Sequence, residues 1–239
     1  MLKKLFMLAV IGLVGCTVLA CQDLFMVDPG DIPDPSNINP ADFVNIIDNA
    51  YFPLRPGTMY VYEGMTDDGL EYIEVYVTPQ TRQVMGVTTT VVRDTVTVDG
   101  ELFEETYDWF AQDAAGNVWY FGEDSKEYED GEVVSTQGSW EAGVGGALPG
   151  IIMLAHPQVG DLYRQEYYAG VAEDMAEVLS LSDSITVPFG AFNHALKTRE
   201  WNPLESDVGE YKYYVLGVGL VAEANISGGE QVRLIDIKY

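Results

Sequence analysis

The residues of this chain best suited to chemistry are its carboxylates. Glu104, Glu105 and Asp108 stand just before Trp109 and Phe110, and acids beside aromatic rings are what glycosidases use to bind and cleave sugars. On a strand, however, Glu104, Thr106 and Asp108 share one face, opposite Glu105, Tyr107 and Trp109. That alternation reads as acids facing water and aromatics facing a core, so no catalytic residue is assigned. Nucleophilic hydrolysis has little to build on: Gly-x-Ser-x-Gly is absent, and the two histidines, His156 and His194, fall in a loop and at a strand start. Zinc is disfavoured by the same scarcity of histidine and thiol. Calcium takes clustered carboxylates and backbone carbonyls, and between Asp94 and Glu132 there are thirteen acids against one lysine, Lys126. The loops Asp113–Asn117 and Glu123-Asp124 through Glu129-Asp130 are the places where a structural calcium would sit, although no EF-hand spacing is present. No other cofactor is indicated.

The two cysteines suggest a different chemistry. Lys3-Lys4 is followed by the apolar run Leu5–Leu19 and then Ala20-Cys21, in the order of a secretory signal: charged region, apolar region, small residue at the cut. Val18-Leu19-Ala20-Cys21 resembles the lipobox of bacterial lipoproteins, in which the cysteine thiol is acylated and the peptide is cut before it. Leu13-Val14-Gly15-Cys16 fits the same pattern. Cleavage there would leave the apolar stub Thr17–Ala20 at the mature end, so Cys21 is taken as the lipidation site, with Cys16 as the alternative. The apolar run is shorter than the ~20 residues that a membrane-spanning helix needs.

Cleavage before Cys21 leaves 219 residues, enough for a sizeable core, and a single cysteine, so that no disulfide forms within the mature chain. It also removes Lys3 and Lys4, taking the formal charge from −26 to −28. Such a field repels nucleic acid and favours cationic partners and divalent ions. Residues 21–38 carry Pro29, Pro33 and Pro35 among Asp28, Asp31 and Asp34, and read as an extended tether spanning up to roughly 50 Å at polyproline geometry.

Beyond the tether, Asn39-Pro40 looks like a helix start, and Phe43, Ile46 and Ile47 give an apolar stripe, so 40–49 is expected to be a short helix. From Tyr51 onward the texture is Val, Thr, Tyr, Trp and Phe broken by glycine. The expected strands are 58–64, 70–79, 84–98, 101–112, 117–122, 132–137, 161–169, 176–187, 194–202, 210–226 (two strands meeting near Gly217) and 231–238. Asp99-Gly100 and Asp130-Gly131 are hairpin turns of the kind that needs positive φ at both central positions. The absence of long amphipathic helices excludes a parallel α/β sheet, and no fixed-period repeat is present. The expected fold is all-β and antiparallel: one strongly curved sheet (half-barrel, barrel or sandwich) over 39–239, with the short leading helix. The glycine-rich stretch 142–160 is expected to be a functional loop or to hold a short helix. Fifteen tyrosines, nine phenylalanines and four tryptophans exceed what a plain core requires. Tyr107, Trp109, Trp119, Phe121 and Trp140 are expected as cross-strand core pairs, or as the wall of an apolar cavity with 142–160 at its mouth.

Tyr51-Phe52-Pro53-Leu54-Arg55-Pro56-Gly57 through Tyr62 resembles the YFPLxxGxxxxY opening of a broad set of uncharacterised bacterial secreted proteins and lipoproteins. Val159-Gly160-Asp161-Leu162-Tyr163 and the strand Gly217-Val218-Gly219-Leu220-Val221 match further elements of that set. The resemblance implies a β-rich fold of the curved kind used by periplasmic lipoprotein carriers, and it brings no catalytic residue. The combined expectation is an exported, lipid-anchored protein of the bacterial cell envelope, on the periplasmic side of the outer membrane or at the cell surface. It would act as a non-enzymatic binding or carrier module for an apolar small molecule or an envelope protein. A calcium-stabilised surface or adhesion protein is the alternative, and a glycan hydrolase a third.

Serine cannot take the thioether-linked diacylglycerol, so Cys21→Ser is expected to lose labelled palmitate and remain an unprocessed precursor, while the β-domain folds unchanged. Labelling that survives in Cys21→Ser and disappears in Cys16→Ser moves the anchor to Cys16. Labelling unaffected by either substitution overturns the lipoprotein reading.

Overall fold

The computed structural model describes residues 35–239 apart from 67, 206–208 and 230. The signal segment, Cys16, Cys21 and most of the tether lie outside the described residues. Sixteen strands follow in chain order. The first eight are β1 (Phe43–Val44), β2 (Met59–Thr66), β3 (Gly69–Val84), β4 (Val87–Val98), β5 (Glu101–Asp113), β6 (Val118–Glu129), β7 (Glu132–Ser135) and β8 (Trp140–Glu141). The rest are β9 (Leu148–Met153), β10 (Leu162–Arg164), β11 (Glu166–Tyr167), β12 (Met175–Val187), β13 (Gly190–Trp201), β14 (Gly209–Val215), β15 (Gly219–Asn225) and β16 (Gln231–Lys238).

All of them belong to one antiparallel sheet, the all-β fold expected. Its path runs β10-β12-β13-β14-β15-β16-β2-β3-β4-β5-β6-β9-β11, with β1 added on β5 and β7 and β8 on β6. The last strand returns to the first long one, Lys238 opposite Met59, so the chain's two halves meet within the sheet. The two outermost strands, β10 and β11, are neighbours in sequence with only Gln165 between them. β10 pairs with β12 at one edge and β11 with β9 at the other, so a single bent segment, 162–167, draws the edges together into a nearly closed barrel. Closing a sheet in this way removes the unpaired edges that would otherwise template aggregation.

The Asp-Gly hairpins form as expected, with Asp99 and Gly100 at φ 50° and 88° and Asp130 and Gly131 at 53° and 78°. A third turn of this type, Met85-Gly86, joins β3 to β4 at φ 49° and 80°. It moves the expected break at 79–84 to 85–86, and methionine carries none of the turn chemistry that would have marked it. β6 runs on to Glu129 and forms a hairpin with β7, instead of ending near 122.

Two expectations are corrected. The helix expected over 40–49 is a 3-10 turn, Pro40–Asp42, capped by Asn39, followed at once by β1. Phe43 packs edge-on to Trp119 (6.0 Å) and Phe121 (5.5 Å), and the Gln112 side-chain oxygen takes the backbone N–H groups of Asp48 and Asn49 at 2.9 and 2.8 Å. These long-range partners claim the donors that a helix would have used internally. The second correction is 142–160, where glycine turns lead into strand β9 rather than a helix, and β9 pairs with β6.

Barrel closure depends on one close approach. A Cβ at Gly150 would stand 2.2 Å from the Gln165 carbonyl oxygen, at the residue where the chain crosses from one sheet edge to the other. Gly150→Ala is therefore expected to push the bent segment off β9 and lower stability by more than about 2 kcal/mol, at the upper part of the overpacking range. Urea unfolding measures it, and an unchanged midpoint would show that the closure tolerates displacement.

Candidate functional site

The barrel interior holds a cavity of about 110 Å³. Its apolar wall includes Phe52, Leu54, Ile73, Val75, Val92, Phe110, Ile152 and Leu220, and its polar part is made by Tyr62, Asp94, Asp108, Lys212, Tyr214 and Glu223. The Tyr51–Leu54 segment forms one wall because Asn49 folds the chain there. Its side-chain oxygen accepts from the N–H groups of Tyr51 and Phe52, and its amide donates to the carbonyls of Gly116 and Leu154. The Tyr60 hydroxyl then holds the Pro53 carbonyl at 2.8 Å, and Phe52 meets Phe110 edge-on at 5.4 Å. Gly219, at φ 104°, lies beside Pro53 and Tyr60, and the Gly217 N–H donates to the Ala50 carbonyl at 2.7 Å, so the turn between β14 and β15 packs against this segment.

The carboxylates overturn the expected orientation of β5. Glu104 and Asp108 are 5% and 6% exposed and face the barrel interior together with Thr106. Trp109 is on the other face, beneath the Arg82 guanidinium at 3.9 Å. They are joined from neighbouring strands by Glu123 and Glu166, both buried, and by Asp94, Asp174, Glu200, Glu210 and Glu223. The buried cation in their midst is Lys212, 4% exposed. Its ammonium lies 3.0 Å from Glu210, 3.3 Å from Glu200 and 3.7 Å from Glu223. Strand register builds this centre. Glu210 and Lys212 are two residues apart on one face of β14, Glu200 is opposite Glu210 on β13, and Glu223 is opposite Lys212 on β15. Thr198 and Tyr214 complete it by donating to Glu200 at 2.8 and 3.1 Å.

One cation cannot neutralise so many acids, and water is excluded, so the others keep their protons. The geometry around Tyr120 requires this independently. Its hydroxyl oxygen is 2.6 Å from Asp108 and 3.0 Å from Glu123. A hydroxyl has one proton to donate, so one of these carboxyls must be protonated and donate to the tyrosine oxygen in return. Burial raises Asp108 to about 7, against the lowering by the Tyr120 hydrogen bond. Burial likewise raises Asp174 to about 7 and Glu210 to about 8, with Lys212 pulling both back. Asp94, Glu123 and Glu166 are held well above the usual carboxylate range, first by burial and then by neighbouring acids. Burial opposes the charge on Lys212, but Glu200, Glu210 and Glu223 outweigh it and hold the ammonium well above its ordinary value.

The other residues singled out in the sequence lie elsewhere. His156 and His194 are both exposed. Trp119 and Phe121 pack against Phe43, and Trp140 stands edge-on to Tyr120 at 5.4 Å, so the cavity's aromatic wall is Phe52, Tyr60, Tyr62, Phe110 and Tyr214 instead. The 142–160 stretch contributes Ile152 to that wall. In the Asp113–Asn117 loop, Asp113 accepts from the Asn117 backbone and side chain and from the Trp119 indole, each at 2.9 Å. Asp124 accepts from Lys126 at 2.8 Å. Among the described residues no group of three or more His, Cys, Asp or Glu is arranged to hold a metal ion. The sequence does carry a signal for the buried acids: on β4, Asp94 shares its face with Val92 and Val96, and an acid flanked at i±2 by valines belongs to an inward face.

No protein-family model matches the chain, and no curated protein matches it. Among solved structures it is similar to a crystal structure of a "putative lipoprotein" from Parabacteroides distasonis ATCC 8503. That match has 14% identity and a TM-score of 0.37, and covers 80% of this chain and 99% of that one.

The interior acids set an unusual pH dependence. Because these carboxyls hold protons in the fold that the unfolded chain releases near pH 4, the folded state binds more protons above that pH. Their contribution to stability is therefore fullest at or below about pH 4 and is lost as pH rises through about 7 (Asp108, Asp174) and about 8 (Glu210). The unfolding free energy from urea titration is expected to be higher at pH 5 than at pH 8 by several kcal/mol, since each tenfold change in proton affinity is worth ~1.4 kcal/mol. Lys212→Met strands three glutamates and is expected to cost about 3–5 kcal/mol at pH 8, and less at pH 5, where Glu210 is protonated. Stability that rises from pH 5 to pH 8 would contradict the protonated interior.

Proposed function

We propose that this chain is a lipid-anchored protein of the bacterial cell envelope that binds or carries a small apolar ligand inside its barrel. The observation that carries the reading is the cavity: about 110 Å³, walled by Phe52, Leu54, Ile73, Val92, Phe110 and Ile152. An apolar cavity of ~150 Å³ in another protein admits benzene, so this smaller one bounds its ligand at about the size of one aromatic ring. The lipobox and the Pro/Asp tether support placement at a membrane surface, with acyl chains rather than protein in the bilayer. The apolar ligand and the anchor fit together, because a membrane-tethered domain can collect poorly soluble molecules where they are most concentrated. The anchor also makes the membrane the nearest partner. A second envelope protein is compatible with the tether's reach.

Benzene at near-saturating concentration is expected to raise the melting temperature of the unlipidated domain, as mass action requires for a ligand bound only by the folded state. Leu220→Trp, which fills the cavity from its wall, is expected to abolish that rise without lowering the baseline melting temperature by more than a few degrees. An absent benzene effect in the wild type, with no small molecule extractable from protein purified from its envelope, would overturn the carrier reading. A melting temperature that rises instead with millimolar calcium would favour the calcium-stabilised surface protein.

A further inference from the structure

The cavity is not uniformly apolar, and its polar end is unbalanced. Most carboxyls around it have a partner within the protein: Asp108 shares Tyr120 with Glu123, Glu104 accepts from Thr106 and Ser125, and Glu200, Glu210 and Glu223 surround Lys212. Asp94 differs. Its Oδ1 is screened from solvent and receives no hydrogen bond, and the side chain faces the cavity beside Val92. A buried acceptor without a donor is destabilising and calls for an explanation.

We propose that the cavity selects small organic ammonium ions, a single apolar group lying against Phe52, Leu54, Ile73 and Phe110 and the ammonium donating to Asp94. The inference rests on the proposed reading of this cavity as a ligand site and names the chemical class of the ligand. Charge complementarity chooses among the classes. An anion would meet Asp94, Asp108 and Glu223, while Lys212 is already surrounded by three glutamates. A neutral hydrocarbon would fill the apolar wall and leave Asp94 Oδ1 without a donor. An ammonium satisfies both ends.

Binding also has a proton signature. Acids face Asp94 from several elements: Asp108 and Glu104 on β5, Glu223 on β15 and Glu71 on β3. Tyr62 on β2 and Lys212 on β14 line the same cavity. Burial and those acids hold Asp94 in its protonated form. An incoming ammonium favours the carboxylate, so the carboxyl proton leaves to solvent as the ligand binds, and affinity rises with pH between 5 and 8 for an amine that stays protonated throughout.

The test uses three probes of similar size on the unlipidated domain: benzylamine, its neutral isostere ethylbenzene, and benzoate, each followed by calorimetry at pH 5 and pH 8. Benzylamine is expected to bind at least about tenfold more tightly than ethylbenzene at pH 8, as a charge-assisted hydrogen bond implies, and benzoate more weakly than either. Repeating the benzylamine titration in buffers of different ionisation enthalpy is expected to reveal net proton release. Asp94→Asn is expected to bring benzylamine down to the level of ethylbenzene and to remove most of the proton release. If that variant does not fold, the wild-type proton count and probe order decide alone. Ethylbenzene or benzoate binding as tightly as benzylamine overturns the amine selectivity and leaves the apolar cavity standing. Binding by none of the three overturns the ligand-site reading together with this one, and assigns the cavity to water.

Discussion

A lysine and three glutamates, stripped of water inside a β-barrel, set the terms for the rest of this molecule. Lys212 lies within 4 Å of Glu200, Glu210 and Glu223, and all four groups are largely or wholly removed from solvent. Taking such charges out of water is expensive, and their attraction repays the expense only when the geometry is tight and the remaining lone pairs are satisfied. Three adjacent strands, β13, β14 and β15, must therefore hold their register, since a slip of one residue in β14 would turn Lys212 and Glu210 outward and leave Glu200 and Glu223 without a cation. The outer face of β13 and β14 strengthens that register: Lys197 on β13 lies over the rings of Tyr211 (4.0 Å) and Tyr213 (5.3 Å) on β14. The two faces of the ribbon specify one pairing.

The remaining interior acids follow from the same constraint. Once a buried ammonium is committed to three glutamates, Asp94, Glu123 and Glu166 have no cation to meet and persist as neutral acids, hydrogen-bonded where they can be, while Asp108 titrates near 7. The Asp108–Tyr120–Glu123 cluster shows this by proton count alone, since one hydroxyl proton serves two acceptors. Closure of the barrel makes the arrangement possible. With 162–167 bridging the two sheet edges and Tyr51–Leu54 forming a wall, the interior is dry enough for neutral acids and still incompletely filled. A cavity remains, apolar on most of its lining and acidic at one end.

Much of the fold was legible in the sequence. The Asp-Gly turns marked two hairpins, the strand texture from Tyr51 onward gave an antiparallel all-β sheet, and Gly217 marked the meeting of two strands. What could not be read were features decided by distant partners. Phe43, Ile46 and Ile47 have helical spacing, yet Trp119, Phe121 and the Gln112 amide claim that segment from β5 and β6. Met85-Gly86 turns because β3 and β4 pair on either side of it. The orientation of β5 was misread for an instructive reason: its acidic face and its aromatic face both satisfy period two, and the assumption that acids face water chose the wrong one. The valines flanking Asp94 on the adjacent strand were the available correction. The cavity itself arises from residues spread between 52 and 232, a juxtaposition that no local pattern encodes.

The central claim is that several carboxyls inside the barrel are neutral at neutral pH because one ammonium cannot compensate them. Infrared difference spectroscopy between wild type and Asp108→Asn, recorded at pH 7 in heavy water, tests it most directly. The protonated carboxyl C=O stretch is separate from the carboxylate bands. A carboxylic-acid band present in the wild type and reduced in the variant is the expected result. A spectrum with only carboxylate bands at that pH would contradict the account.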